Sequence, residues 1–318
     1  MPELVSMRYG GEAICYPAVE GHTMTSPLIS QEFYDQLVKL VRTFPERAGA
    51  LLDDAGGVPA PGSRIDRELG GLPAPGPLET SLSLGAQALE HAADHLFALS
   101  DACVSPDTPF PAFTLARGVL ESSATALWIL DADIEGKERV ERGMSLRLAG
   151  LEDQKKLLRA SPPGPDADEV TRKIASRIKD IMTVAGARGV EPHRNRRMKI
   201  DGFGSKMPGR LELVSRIPGG EFDYRLLSAV THGHSWSLIG VAFKPSGKQN
   251  MAVKAPEPIV FVYVCWRAIE FFARALWAQV YLHGWKSGPF ARLLEETYDS
   301  IGLIPEGRFW RSQAVVHM

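Results

Sequence analysis

The sequence predicts an all-α protein, a multi-helix bundle with an irregular N-terminal arm and a Pro/Gly-rich linker. Three observations carry this. Apolar residues recur at spacings of three and four in about seven separate stretches. Sustained alternation of the strand type is rare. Clusters of proline and glycine separate the periodic stretches, as they do where helices stop. The chain has 318 residues, 44% of them apolar and 23% charged. That composition is globular, and the length suits one large domain or two small ones. The expected division is 1–78, holding the arm, one helix and the linker, and 79–318, the helical bundle.

Each element has its own reason. Residues 1–28 are broken by Gly10, Gly11, Pro17 and Gly21 and predict a short strand or a surface arm. From Gln31 to Arg47, Phe33, Leu37, Leu40, Val41 and Phe44 fall on one helical face, with Ser30 as cap. Residues 53–78 contain a Gly-Gly-x-Pro-Ala-Pro-Gly motif twice, beginning at Gly56 and Gly70. Such segments favour extended or turn backbone, so a mobile surface connection is expected. A helix over Glu79–Leu99 is expected to bury Leu82, Leu84, Ala88, Leu89, Ala92, Leu96 and Leu99. The stretch Ala112–Leu130 is apolar nearly all round and should be central. Its two charges, Arg117 and Glu121, are four apart and should pair with each other or with the Arg225/His232 face further along the chain. Glu135–Arg159 reads as amphipathic, with Arg139, Arg142, Arg147, Glu152, Lys155 and Lys156 as a solvated face. Asp166–Ala185 has a thinner apolar stripe. Residues 237–256 suit a short hairpin or an extended loop. Ile259–Leu282 is the most apolar helix, with Arg267, Glu270 and Arg274 as a charged stripe, which marks a core helix with a polar seam or an interface helix. A short helix over Pro289–Tyr298 closes the pattern, and the last residues should be loose.

Composition also excludes some functions. The formal net charge is −2, which argues against a general nucleic-acid coat but leaves room for a local basic site. The three cysteines, Cys15, Cys103 and Cys265, are scattered and show no zinc spacing or disulfide framework. A reducing, cytoplasmic compartment is expected, and the N-terminus does not read as a signal peptide. The longest uninterrupted apolar run, Ile259–Trp266, falls far short of the roughly 20 residues of a membrane span. No membrane association and no cofactor are expected.

Three groups of residues could carry chemistry. The first is the stretch Asp223–Trp236, read as a helix ended or interrupted by Gly233. Arg225 and His232 are about two turns apart and share a face, with Ser228 near it and Tyr224 and His234 beside it. His232 falls in the last turn, where the helix dipole favours positive charge. The second is 186–210, where Arg188, Arg194, Arg196, Arg197, Lys199, Lys206 and Arg210 oppose only Glu191 and Asp201. Gly202, Gly204 and Gly209 suggest a loop able to contact a polyanion through phosphate oxygens. The third is His91 and His95, four apart on one helix face, the spacing of a helical zinc pair but without the His-Glu-x-x-His context.

Arg117-x-x-x-Glu121 with Trp128, followed by Tyr224-Arg225-Leu226-Leu227-Ser228 running to His232-Gly233, resembles the bacterial helical proteins related to the HEPN superfamily. The resemblance spans roughly 110–280. It implies an all-α bundle, a homodimer, and an Arg-x(4–6)-His motif that cleaves RNA without a metal. Arg225 and His232 enclose six residues, the upper limit of that motif, and Leu226 replaces the polar residue that often follows the arginine. On that reading Arg225 and His232 act on RNA, Arg117 and Glu121 complete the site, and Arg194, Arg196, Arg197, Lys199, Lys206, Tyr224, Ser228 and His234 bind substrate. Two other readings stay open. One is a non-catalytic dimeric scaffold whose Arg117, Glu121, Arg225 and His232 form a buried network. The other is a metal-dependent helical enzyme using His91 and His95 with Glu121, His232 or His234.

Overall fold

The computed structural model describes residues 4–9, 12–17, 30–71, 76–104, 108–162, 164–245, 252–254 and 258–302. The chain is an all-α multi-helix fold with three small antiparallel sheets among the described residues. The arm is a hairpin of β1 (Leu4–Tyr9) and β2 (Glu12–Pro17). Helix α1 (Gln31–Asp54) starts where the Ser30 hydroxyl accepts from the Phe33 amide at 3.1 Å, satisfying one amide that a helix start leaves unpaired.

The linker is more ordered than its composition suggests. It contains α2 (Arg64–Gly70), capped by Ser63, and buries Ile65 completely. The Val58 carbonyl accepts from the Trp285 indole at 2.7 Å, and the Ala60 amide donates to the His283 carbonyl at 2.9 Å. Expected mobility gives way to packing because these backbone groups find partners near the C-terminal end of the chain. Residues 72–75 and the chain beyond 302 lie outside the described residues.

The core helices follow. Helix α3 (Gly76–Val104) packs along α4 (Phe110–Ile129), which is the centre of the bundle. Phe113, Ala116, Val119, Leu120, Ala124, Ala126 and Ile129 are all buried, as an almost uniformly apolar helix requires. Helix α5 (Gly136–Ala160) lies on α3 at a close approach between Gly143 and Ser81. A Cβ at Gly143 would sit 2.7 Å from the Ser81 Cβ, so glycine sets the helix separation there. Helix α6 (Pro165–Ala187) packs on α5. The expected solvated face of α5 is correct for Arg147 and Lys156, which stand exposed. It fails for Arg142, 11% exposed, and for Arg139, whose side chain is 0% exposed. The Arg139 guanidinium turns inward because the carbonyls at the end of α4 need donors.

The basic stretch is a sheet where a loop was expected. Strands β3 (Pro192–Arg194), β4 (Ile200–Phe203) and β5 (Ser205–Lys206) form an antiparallel meander. The Phe203 amide donates to the Ser145 hydroxyl at 2.9 Å, which ties β4 to α5. Gly202 serves close approach: a Cβ there would lie 2.8 Å from the Met207 amide nitrogen.

A short α7 (Arg210–Val214) leads into α8 (Gly220–Thr231). The helix expected from Asp223 is interrupted at Gly233, as its glycine predicts: α8 ends at Thr231 and Gly233 takes a φ of +70°. Helix α9 (Ser235–Ala242) follows, then a hairpin of β6 (Phe243–Pro245) and β7 (Ala252–Lys254). Ile239 and Val241 therefore belong to a helix, although the hairpin expected in this region is present. Helix α10 (Pro258–His283) packs on α4, α1 and α3, and α11 (Ser287–Ile301) packs on α1 and α10. Buried residues of α1 and α2 belong to the same core cluster as those of the helices beyond residue 79.

The polar seam of α10 is internal. The Arg267 Nε donates to Asp223 Oδ2 at 2.8 Å, and its Nη2 donates to the Pro218 carbonyl at 2.6 Å. Arg267 also pairs with Glu270, Tyr263 donates to Asp223, and Arg274 donates to Glu270 at 2.8 and 2.9 Å. Gly219, with φ +74°, lets the chain pass this cluster. A Cβ there would lie 3.0 Å from the Arg267 Nη2.

Candidate functional site

Helices α4 and α8 pack together and bring four polar side chains to one place. Arg117 and Glu121 are one turn apart on α4, and the Arg117 Nε donates to Glu121 Oε1 at 2.8 Å. The other carboxylate oxygen lies 2.9 Å from Arg210 Nη1, at the start of α7. Arg117 Nη2 donates to the Tyr224 hydroxyl at 3.3 Å, and its guanidinium lies 5.1 Å from that ring's centroid. Arg117 Nη1 lies 3.3 Å from His232 Nε2, at the end of α8. A guanidinium can only donate, so Nε2 is the acceptor side of this contact. Next to the cluster the Thr114 and Thr231 hydroxyls meet at 3.3 Å.

The cluster is half open. The Arg117 and Glu121 side chains are 21% and 17% exposed, whereas Arg210 is 65% exposed and His232 faces solvent. Two arginines against one carboxylate leave an excess positive charge. That suits an anion approaching from the His232 side.

Arg225 is placed differently from the expectation. Its Nε and Nη2 donate to Glu221 Oε1 at 2.9 and 2.8 Å in an exposed pair one turn back. The arginine that meets His232 comes from α4. Ser228 is half-buried, and its carbonyl accepts from the His232 amide at 2.9 Å. His234 caps α9, exposed, with its ring centroid 6.5 Å from that of His232.

The basic residues of the sheet take separate places. Arg194 donates to the Met198 carbonyl at 3.0 Å, and Lys199 lies 3.6 Å from Glu152 on α5. Arg196, Arg197 and Lys206 are exposed. His193 Nδ1 donates to Asp201 at 2.6 Å. From this stretch it is Arg210 that contacts Glu121. Its position at the exit of a glycine-containing basic segment was legible, but its partner was not.

His91 and His95 lie on α3 against α4. Their ring centroids are 4.5 Å apart, and His91 Nδ1 shares a hydrogen bond of 3.0 Å with the Ser122 hydroxyl. His95 fills the space over Gly118, where a Cβ would lie 2.5 Å from its Nε2. Among the described residues no three His, Cys, Asp or Glu side chains converge as metal ligands. The pair meets α4 through the Ser122 hydroxyl and Gly118.

Burial holds the His95 imidazole below its ordinary pKa, and the neighbouring His91 acts in the same direction, against Asp94 and Glu121. Burial also depresses His283, whose Nδ1 donates to the Gln279 carbonyl at 2.8 Å, with Arg139 adding to the depression. For both groups the folded pKa lies below the unfolded one. Their contribution is fully present above about pH 6.5 and is lost as pH falls through the depressed values, because the unfolded chain takes up the protons first. The urea midpoint is therefore expected to fall between pH 7.5 and 5. A midpoint that rises or stays level over that interval contradicts this assignment.

The buried acid Asp223 had no expected role. Its signal was present: Leu226, Leu227 and Val230 lie three, four and seven residues on, so Asp223 occupies the inward face of α8. An acid on an apolar face calls for a buried cation, and Arg267 supplies it.

Comparison with protein-family models, curated proteins and solved structures found no match for this chain. Fold and site together define an all-α multi-helix protein with a half-open Arg/Glu/Tyr/His cluster. Among the described residues no helix is long and apolar enough to cross a membrane.

Proposed function

We propose that the α4–α8 cluster binds the phosphodiester backbone of RNA and cleaves it without a metal. The observation that carries this reading is the 3.3 Å contact between Arg117 Nη1 and His232 Nε2 at a solvent-facing helix end. In this reading His232 acts as general base on a ribose 2′-hydroxyl or as acid to the leaving oxygen. Arg117, already within reach, stabilises the charge that develops on phosphorus, for which its planar fork is suited. Glu121 and Tyr224 hold Arg117 in orientation. Arg210 and the exposed basic residues of the sheet, Arg196, Arg197 and Lys206, bind the strand through phosphate oxygens. The HEPN-like pattern supports the same chemistry, with the arginine role moved from Arg225 to Arg117. A homodimer and a cytoplasmic location belong to this reading, the first from the resemblance and the second from cysteine usage.

The test is RNA cleavage and RNA binding by the full chain, with and without chelator. Cleavage that survives chelator should drop about 10²–10⁴-fold in His232→Ala. A comparable loss is expected in Arg117→Ala, while Arg225→Ala should keep most activity. Loss in Arg225→Ala with Arg117→Ala intact would return the role to the α8 arginine. The second reading, a non-catalytic module, is favoured by Glu121 pairing with both Arg117 and Arg210. It is supported if wild type neither binds nor cleaves RNA and Arg117→Ala lowers stability.

A further inference from the structure

Two of the three cysteines, 162 residues apart in sequence, meet in the core. The Cys103 and Cys265 sulfurs lie 3.4 Å apart, and both side chains are buried thiols. A disulfide bond is about 2.05 Å long, so the sulfurs need close by only about 1.4 Å. The helices that carry them, α3 and α10, are already packed side by side. Cys103 is the penultimate residue of α3, and its carbonyl accepts from the Tyr34 hydroxyl of α1 at 2.9 Å. The next residue, Val104, is 71% exposed. Fraying of one helical turn would therefore bring Cys103 to solvent, whereas Cys265 lies about two turns inside α10 and is fully buried.

We propose that Cys103 and Cys265 form an oxidation site, in which an oxidant of the peroxide class converts the thiol pair into a staple joining α3 to α10. The Cys103 sulfur attacks one peroxide oxygen, the O–O bond breaks, and the departing oxygen leaves as water with the thiol proton. Cys103 is then a sulfenic acid. The Cys265 sulfur attacks the Cys103 sulfur, the S–O bond breaks, and a second water leaves with the Cys265 proton. Two thiols and one hydrogen peroxide thus give one disulfide and two waters. The order of events follows from the surroundings. The contact with Cys103 and burial push the Cys265 thiol up, which makes it the resolving partner, while Cys103 lies nearer to the oxidant. The staple ties two distant parts of the chain, so it restricts the unfolded state strongly.

The experiment uses the full chain carrying Cys15→Ser, treated with hydrogen peroxide under native conditions. The intact mass should fall by about 2 Da per chain, and peptides containing Cys103 and Cys265 should be linked in a non-reducing digest. The unfolding midpoint should rise on the order of 10 °C and return with dithiothreitol. In a Cys265→Ser chain, dimedone should label Cys103 after peroxide. Thiols that both remain titratable in denaturant after peroxide, a gain of oxygen without a link, or a link between two chains each overturn the proposal. If Cys265→Ser does not fold, the mass and digest of the Cys15→Ser chain decide alone.

Discussion

Asp223→Ala should lower the stability of the folded chain by about 3–5 kcal/mol, read as the urea unfolding midpoint. Asp223 is 1% exposed and accepts from two side chains of α10. Arg267 and Tyr263 reach it from α10, and the Pro218 carbonyl shares the same guanidinium from the turn before α8. Removing the carboxylate leaves Arg267 buried beside Glu270, which Arg274 also contacts. The cost is that of a buried charge deprived of a partner, which exceeds the net worth of the original pair. Asp223→Leu combined with Arg267→Met removes both charges and should recover much of the loss. If the double variant is as unstable as Asp223→Ala, packing rather than charge holds α8 to α10.

The second large effect lies at the C-terminal end of α4. Arg139→Met should cost about 3 kcal/mol, and Arg139→Lys should recover little of it. The guanidinium is wholly buried and closes the end of α4. Nη1 donates to the Ile129 carbonyl at 2.6 Å and to that of Asp131 at 3.0 Å, and Nη2 donates to Ile134 at 3.2 Å. Nε donates to Glu68 at 3.3 Å. The last carbonyls of a helix have no partner within it, and cations are favoured there. Arg142 serves the Trp128 carbonyl at 2.5 Å in the same way. A planar fork can span several carbonyls in a fixed geometry, and a single ammonium cannot. Full recovery in Arg139→Lys, measured by the same unfolding midpoint, would mean that charge alone is needed.

These two arginines show where reading the chain in order reaches its limit. The helical pattern of α5 was plain, but Arg139 looks like Arg147 to any count of charges along one helix. What separates them is the unsatisfied end of α4, which lies ten residues earlier in the chain. The stripe Arg267, Glu270, Arg274 was legible as a seam, because three charges on a highly apolar helix must be paired. Spacing puts Asp223 on the inward face of α8, but only packing sets it against Arg267. The same holds at the candidate site. Arg117 and Glu121 pair at i and i+4 as local geometry demands. Arg225 also obeys local geometry, and pairs with Glu221 one turn back, which leaves His232 to an arginine from another helix.

The linker and the basic stretch depart from their compositions for one reason. Proline and glycine remove regular hydrogen bonding locally, but they do not forbid bonds to distant partners. Val58 and Ala60 find theirs near the end of α10, and Phe203 finds its own on α5. By itself the sequence determined the helical class, the central place of α4 and the presence of the long helices, because these follow from apolar periodicity and breakers within one segment; it ended α1 at Arg47 rather than Asp54 and did not show α2, α7 or α9. The tertiary structure alone decided which arginine meets His232, which cations are buried and which two cysteines touch, because each depends on partners brought together from distant segments.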